Sequence, residues 1–190
     1  MKKEDIITLP NDHLRQKSSK VAIVSDSVRQ LIAEMTDAAL DWEDSRPHEI
    51  SAALAAVQID RLERVVIVRS DFDNKESREF TALINPEIVK YEGKLEADYE
   101  GCLSVKDVYG KVPRYTKIRV KALDLNGNPI RFKASGFLAR VIQHEIDHTN
   151  GIVFIDHIRD DTEAFYTLNK KGELDPLNYD QDIKTNSILW

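Results

Sequence analysis

The sequence holds a single cysteine, Cys102, so no internal disulfide can brace the chain. No window approaches the roughly 18 consecutive apolar residues of a membrane-spanning helix. The start, Met1 to Ile7, lacks the apolar stretch of a secretory signal and the Arg/Ser bias of a transit peptide. Positive charge is not in excess either. The 27 Lys and Arg stand against 33 Asp and Glu, a net charge of −6, which argues against nucleic-acid recognition. Repeats, low-complexity tracts, Gly/Ser/Pro-rich linkers and heptads are missing as well. The expectation from these features is a cytoplasmic monomer without a membrane segment. Its 190 residues suit one domain, and 42% hydrophobic with 32% charged residues suffices to close a core.

Periodicity places two helices and several strands. Ser25 or Asp26 caps a helix to about Trp42, whose apolar residues Val28, Leu31, Ile32, Met35, Ala38, Ala39 and Trp42 recur at helical spacing. A polar loop from Asp44 to Ile50, broken by Pro47, follows, with His48 expected in solvent. Arg64 to Val68 reads as a strand, and Phe80 to Val89 as another broken at Asn85-Pro86. Lys117 to Leu123 alternates with period two, and Asp124 to Asn128 turns it into a return strand from Pro129 to Lys133. Ser135 caps a second helix with Phe137, Leu138, Val141, Ile142 and Ile146 as its apolar set. Hairpins without βαβ units predict an α+β fold: one domain over residues 1–190, its antiparallel β-sheets packed around the second helix. The tail after Gly172 carries Leu174, Leu177, Tyr179, Ile183 and the final Ile188-Leu189-Trp190, too many large apolar groups for a solvated tail, so 172–190 is expected to dock on the body.

The second helix contains His144-Glu145-Ile146-Asp147-His148. Two histidines four residues apart differ by about 40° around a helix, so both imidazoles reach one metal, while Glu145, about 100° round, addresses the metal's water. The bland alternative is a helix with two surface or capped histidines. A catalytic site of this kind needs a third protein ligand and an open position. Cys102, His157, Asp156 and the other acids are candidates. His157 has alternating neighbours and reads as a strand residue. Cys102 follows Gly101, which permits close backbone approach, and Glu100 is available to accept from a ligand histidine.

Glu100-Gly101-Cys102-Leu103-Ser104 together with His144-Glu145-Ile146-Asp147-His148 resembles the peptide deformylase family, whose signatures are EGCLS and HExDH. A third signature, GxGLAAxQ, has its counterpart in Ser51 to Gln58, and the likeness covers roughly residues 5 to 160. The resemblance implies that Cys102, His144 and His148 bind one divalent metal ion, natively Fe²⁺ and often Zn²⁺ or Ni²⁺ in purified protein. It implies that Glu145 takes a proton from a metal-bound water attacking a formyl carbon, and that the oxyanion meets the Leu103 N–H and the Gln58 amide. The substrates would be N-formyl-methionyl peptides of nascent chains, cleaved to formate, with transient ribosome association. Ala53, Phe137 and Val141 would form the substrate site, Phe137 and Val141 serving equally well as core residues. Arg140 beside them reads as a snorkelling side chain.

The first signature departs from the family, since Ser51 and Ala53 replace its two glycines. There the backbone around the second glycine hydrogen-bonds an extended substrate. If φ is positive at Ala53 the cost is about 1 kcal/mol or more; if it is extended, only the added methyl matters. Neither change removes the metal ligands, Glu145 or Gln58, so hydrolytic competence is expected. Lys106 and Asp107, where the family commonly has Pro and Gly, read as solvated. A zinc endopeptidase is the competing enzyme, disfavoured by a cysteine ligand and by the missing third histidine downstream. A binder of formyl-peptides without turnover is the other alternative, against which Glu145 speaks.

Overall fold

A computed structural model describes residues 1–46, 49–74, 76–187 and 189. His48, Ile188 and Trp190 lie outside the described residues. The first helix, α1, spans Asp26–Asp44. Its Val28, Leu31, Met35, Ala38 and Ala39 are buried against Leu54, Ile59, Val65, Ile67 and Ile84. Ser25 occupies the N-cap position, but its hydroxyl pairs with Ser27 Oγ at 2.7 Å instead of capping a backbone N–H. The helix runs two residues beyond Trp42, which brings Glu43 into the interior.

Among the described residues, seven strands join one antiparallel sheet: β1 (Ala53–Ala55), β2 (Val65–Arg69), β3 (Phe80–Cys102), β4 (Val105–Leu123), β5 (Pro129–Ser135), β6 (Phe165–Leu168) and β7 (Leu174–Pro176). The order is β1-β2-β3-β4-β6-β7, with β5 paired to the other end of β4. The break expected at Asn85-Pro86 is a bulge instead. Asn85 takes φ +53°, and its side chain bridges the Val21 backbone, accepting from N and donating to O at 2.8 Å each. The strand then resumes with a shifted register. Residues 90–99 carry no period-two signal because this part of β3 is wet on both faces, and in β4 the alternating buried positions Val108, Gly110, Val112 and Arg114 include a glycine and an arginine, which blur an apolar period. Exposed ion pairs such as Glu92–Arg119, at 2.8 and 2.9 Å, cross the β3–β4 ribbon instead of apolar contacts.

Ser135 stands at the N-cap of α2 (Gly136–His148) without a side-chain bond to the helix. Val141, Ile142 and Ile146 are buried against β1, β2, β4 and β5, so the helix lies on the sheet with its ligand-bearing face toward the β3–β4 turn. A third cluster joins Leu14, Val112, Phe154 and Phe165 to Ile183 and Leu189. Ile142→Ala is expected to cost about 2–4 kcal/mol, since it opens a void under α2. Leu95→Ala, on the exposed ribbon, is expected to stay within about 0.5 kcal/mol. Denaturant midpoints of the two variants check this.

Candidate metal centre

The β3–β4 turn carries Cys102 to the ligand face of α2. Cys102 Sγ lies 3.2 Å from His148 Nε2, which lies 3.2 Å from His144 Nε2. The three donor atoms sit within 4.8 Å of one another. Donors with bonds of 2.0–2.3 Å to one tetrahedral ion are held about 3.5 Å apart, so the triangle fits a single ion. Glu145 Oε2, next in sequence to His144, is buried without a partner among the described residues, an unspent acceptor in the same cleft. Sulfur and imidazole are also the donors that iron and zinc prefer. The two other candidate ligands are elsewhere. His157 is in a 3₁₀ turn, Phe154–Ile158, not a strand, and pairs with Asp147 at 2.7 Å. Asp156 accepts from Arg15 at 2.5 Å and from the Val153 N–H at 2.8 Å.

Gly101 admits the approach that the turn requires, because a Cβ there would stand 2.6 Å from the Tyr109 ring. Behind Cys102, the Glu100 carboxylate accepts from His144 Nδ1 (2.9 Å), Arg114 Nε (3.0 Å) and Nη2 (3.1 Å), and Arg140 Nη1 (2.8 Å). Arg140 therefore does not snorkel. It is buried and also donates to the carbonyls of Val112 and Glu96, both at 2.7 Å. Irregular pairing in the β3–β4 ribbon makes such carbonyls reachable from the start of α2. Arg114 continues outward to Asp147, which His157 also contacts. Burial alone would raise Glu100, but hydrogen bonds from His144 and Arg114 hold it well below the carboxylate range.

Burial would lower His144, yet Cys102 and Glu100 outweigh it and hold this imidazole well above its ordinary value. Burial and the charge on His144 push His148 well below its own, the neutral form that a metal requires. Burial pushes the Glu145 carboxyl up to about 7, the range of a proton-transfer group.

Gln58 follows β1 in a 3₁₀ turn (Ala56–Ile59) and is buried. Its Oε1 accepts from the Ala55 N–H at 2.8 Å, and its Nε2 donates to Ser104 Oγ at 3.1 Å, 3.6 Å from Cys102 Sγ. Leu103, in the turn after Cys102, lines the same cleft of about 1110 Å³. Ala53, Phe137 and Val141 line it too. Ala53 lies in β1, the edge strand of the sheet, paired with Val68, and is not among the positive-φ residues, so its methyl group imposes no backbone strain. Phe137 is 51% exposed and edge-on to Phe72, with ring centroids 5.0 Å apart; it is a cleft residue and not core. Val141 is buried and serves both cleft and core. Ser51 is buried behind β1, its N–H donating to Glu43 Oε2 (2.8 Å) and its carbonyl accepting from Arg69 Nε (3.1 Å). Lys106 and Asp107 are exposed.

Sequence reasoning gave no role to Arg114, Asp147 or Ser104. Arg114 stands opposite Glu96 on β3 and reaches Glu100 along the ribbon, a contact that nothing local announces. Atomic absorption of dialysed protein loaded with a divalent ion is expected to show one equivalent of metal. Cys102→Ala should abolish retention and His157→Ala should keep it.

A family model described as polypeptide deformylase matches residues 3–164. The peptide deformylase of Thermomicrobium roseum is 42% identical over 171 residues, covering 88% of this chain and 93% of that protein. That of Brachyspira hyodysenteriae is 38% identical over 186 residues, covering 97% and 90%. A peptide deformylase from Synechococcus elongatus in complex with actinonin is similar with a TM-score of 0.71 at 36% identity, over 80% of this chain and 76% of that one. The Met-Ala-Ser-bound class I type b peptide deformylase from Acinetobacter baumannii gives 0.71 at 31% identity, over 80% and 96%. With its metal triangle, buried carboxylate and matching sequence, the chain belongs to the peptide deformylase family of metal-dependent hydrolases.

Proposed function

We propose that this chain removes the formyl group from N-formyl-methionyl peptides, releasing formate and a free amino terminus. The observation that carries the reading is the buried Glu145 Oε2, unpartnered among the described residues, with the Cys102–His144–His148 triangle at a cleft walled by an edge strand. Cys102, His144 and His148 would hold a divalent ion, which when bound would supply Lewis acidity and lower the pKa of water toward neutral pH. Fe²⁺ is the proposed physiological ion, and Zn²⁺ or Ni²⁺ suit the same donors.

Glu145 Oε2 takes a proton as water adds to the formyl carbon, then returns it to the peptide nitrogen as the C–N bond breaks. Gln58 Nε2, held by the Ala55 and Ser104 bonds, is placed to donate to the oxyanion with the Leu103 N–H. Phe137 and Val141 take the methionine side chain, while the β1 edge at Ala53 offers backbone groups to an extended peptide. Glu100 fixes the ring of His144 by accepting at Nδ1. The Met-Ala-Ser seated in the Acinetobacter relative supports a peptide in this cleft. An intact Glu145 weighs against a quiet binder, and a cysteine ligand against an endopeptidase. No helix among the described residues is long and apolar enough to cross a membrane. The reading places the protein in the cytoplasm as a monomer acting on nascent chains, with transient ribosome contact.

Anaerobically Fe²⁺-loaded protein is expected to release formate rapidly from formyl-Met-Ala-Ser and not to deacetylate acetyl-Met-Ala-Ser. Glu145→Ala should lower kcat/KM by about 10²–10⁴-fold. Release unaffected by that substitution would contradict the assignment.

A further inference from the structure

The matched family residues end at 164, and the chain then forms a hairpin. β6 docks on the free edge of β4 through Tyr109↔Tyr166 and Gly110↔Phe165, and β7 returns along it. Phe165 anchors the base in the third core cluster, and Tyr166 sets its ring edge-on to Tyr99 at 5.0 Å. The turn is pre-organised. Asn169 Oδ1 accepts from the Lys171 N–H (2.9 Å) and the Glu173 N–H (3.0 Å), and the Asn169 N–H donates to the Glu173 carbonyl (2.8 Å).

Leu168 and Leu174 stand directly opposite each other in this hairpin, so their side chains share one face. Neither belongs to a core cluster among the described residues. Both are half-buried and line the cleft that holds Cys102, His144 and Glu145. Tyr109 joins the two regions. Its ring covers Gly101, next to Cys102, while its backbone pairs with β6. A cleft of about 1110 Å³ has room for more than one side chain, since about 300–1,000 Å³ accommodates a whole drug-sized ligand.

We propose that the β6–β7 hairpin is a specificity element, in which Leu168 and Leu174 form an apolar wall for the residues that follow formyl-methionine. The inference rests on the deformylase reading and deepens it. A peptide running out from the methionine pocket meets this wall with its second or third side chain. Large aliphatic groups there exclude water from the leucine pair, and glycine leaves the pair wet. Methionine recognition stays with the pocket on α2; the hairpin grades peptides by what comes next.

The test compares formyl-Met-Leu-Leu with formyl-Met-Gly-Gly on metal-replete full-length protein. Wild type is expected to favour the leucine peptide about fivefold or more in kcat/KM, with the gain in KM. Leu168→Ser/Leu174→Ser should reduce the ratio toward one, and Leu168→Met/Leu174→Met should keep it. Equal rates in wild type, or a preference that survives the serine pair, would overturn the proposal. Formate from neither peptide would overturn the deformylase reading. Calorimetric titration with Met-Leu-Leu and Met-Gly-Gly judges the wall independently of turnover: tighter leucine binding lost in the serine pair supports it, and equal affinities refute it.

Discussion

The carboxylate of Glu100 is shared by two guanidinium groups and an imidazole in a space nearly closed to water, and the site is arranged around it. A buried charge persists only where its partners are held in good geometry, and removing one partner is costly. Here the partners come from three places: Arg114 on β4, Arg140 at the start of α2, and His144 two turns along its axis from the helix start. The same carboxylate therefore locks helix to sheet and sets the ring orientation of His144. Cys102 lies two residues further along the same strand, so the thiol inherits its position from that lock. Stability and chemistry share one residue.

In the first signature, Ser51 and Ala53 stand on backbone that does not need glycine, neither being at positive φ. Ala53 is in an extended strand paired with Val68. Ser51 lies behind that strand, where Glu43 and Arg69, themselves a buried ion pair, hold its backbone. Its hydroxyl is buried without a partner, a feature that nothing in the structure explains. The edge of β1, the amide of Gln58 and the carboxylate of Glu145 keep their places around the cleft, and the substitutions leave the reacting groups alone.

Local signals in the sequence revealed the helices, the second hairpin and the metal motif, because each is encoded within about one turn or one strand. The spacing of His144 and His148 alone puts two ligands on one face. Cys102 stood out from His157 and Asp156 through its neighbours Gly101 and Glu100, and the choice was closed only by resemblance to a known pattern. The long β3–β4 ribbon escaped notice because the middle of β3 is solvated on both faces, while the buried face of β4 mixes Val108 and Val112 with Gly110 and Arg114 and so lacks an apolar period. Arg140 was misread for a related reason. A charged residue on a helix reads as solvated unless its partner is known, and Glu100 lies 40 residues away. For Phe137 the helical period left pocket and core equally open, since periodicity reports a face and not what that face meets; it lines the cleft.

If Glu100 holds the metal triangle through His144, its charge is what the metal affinity depends on. The most direct measurement is the metal dissociation constant of Glu100→Gln, which keeps the shape and removes the charge, set beside wild type in protein shown to be folded by circular dichroism. The account predicts binding about 10–100-fold weaker, with Cys102, His144 and His148 all present. An unchanged dissociation constant would mean that the triangle stands without its carboxylate, and would contradict the account.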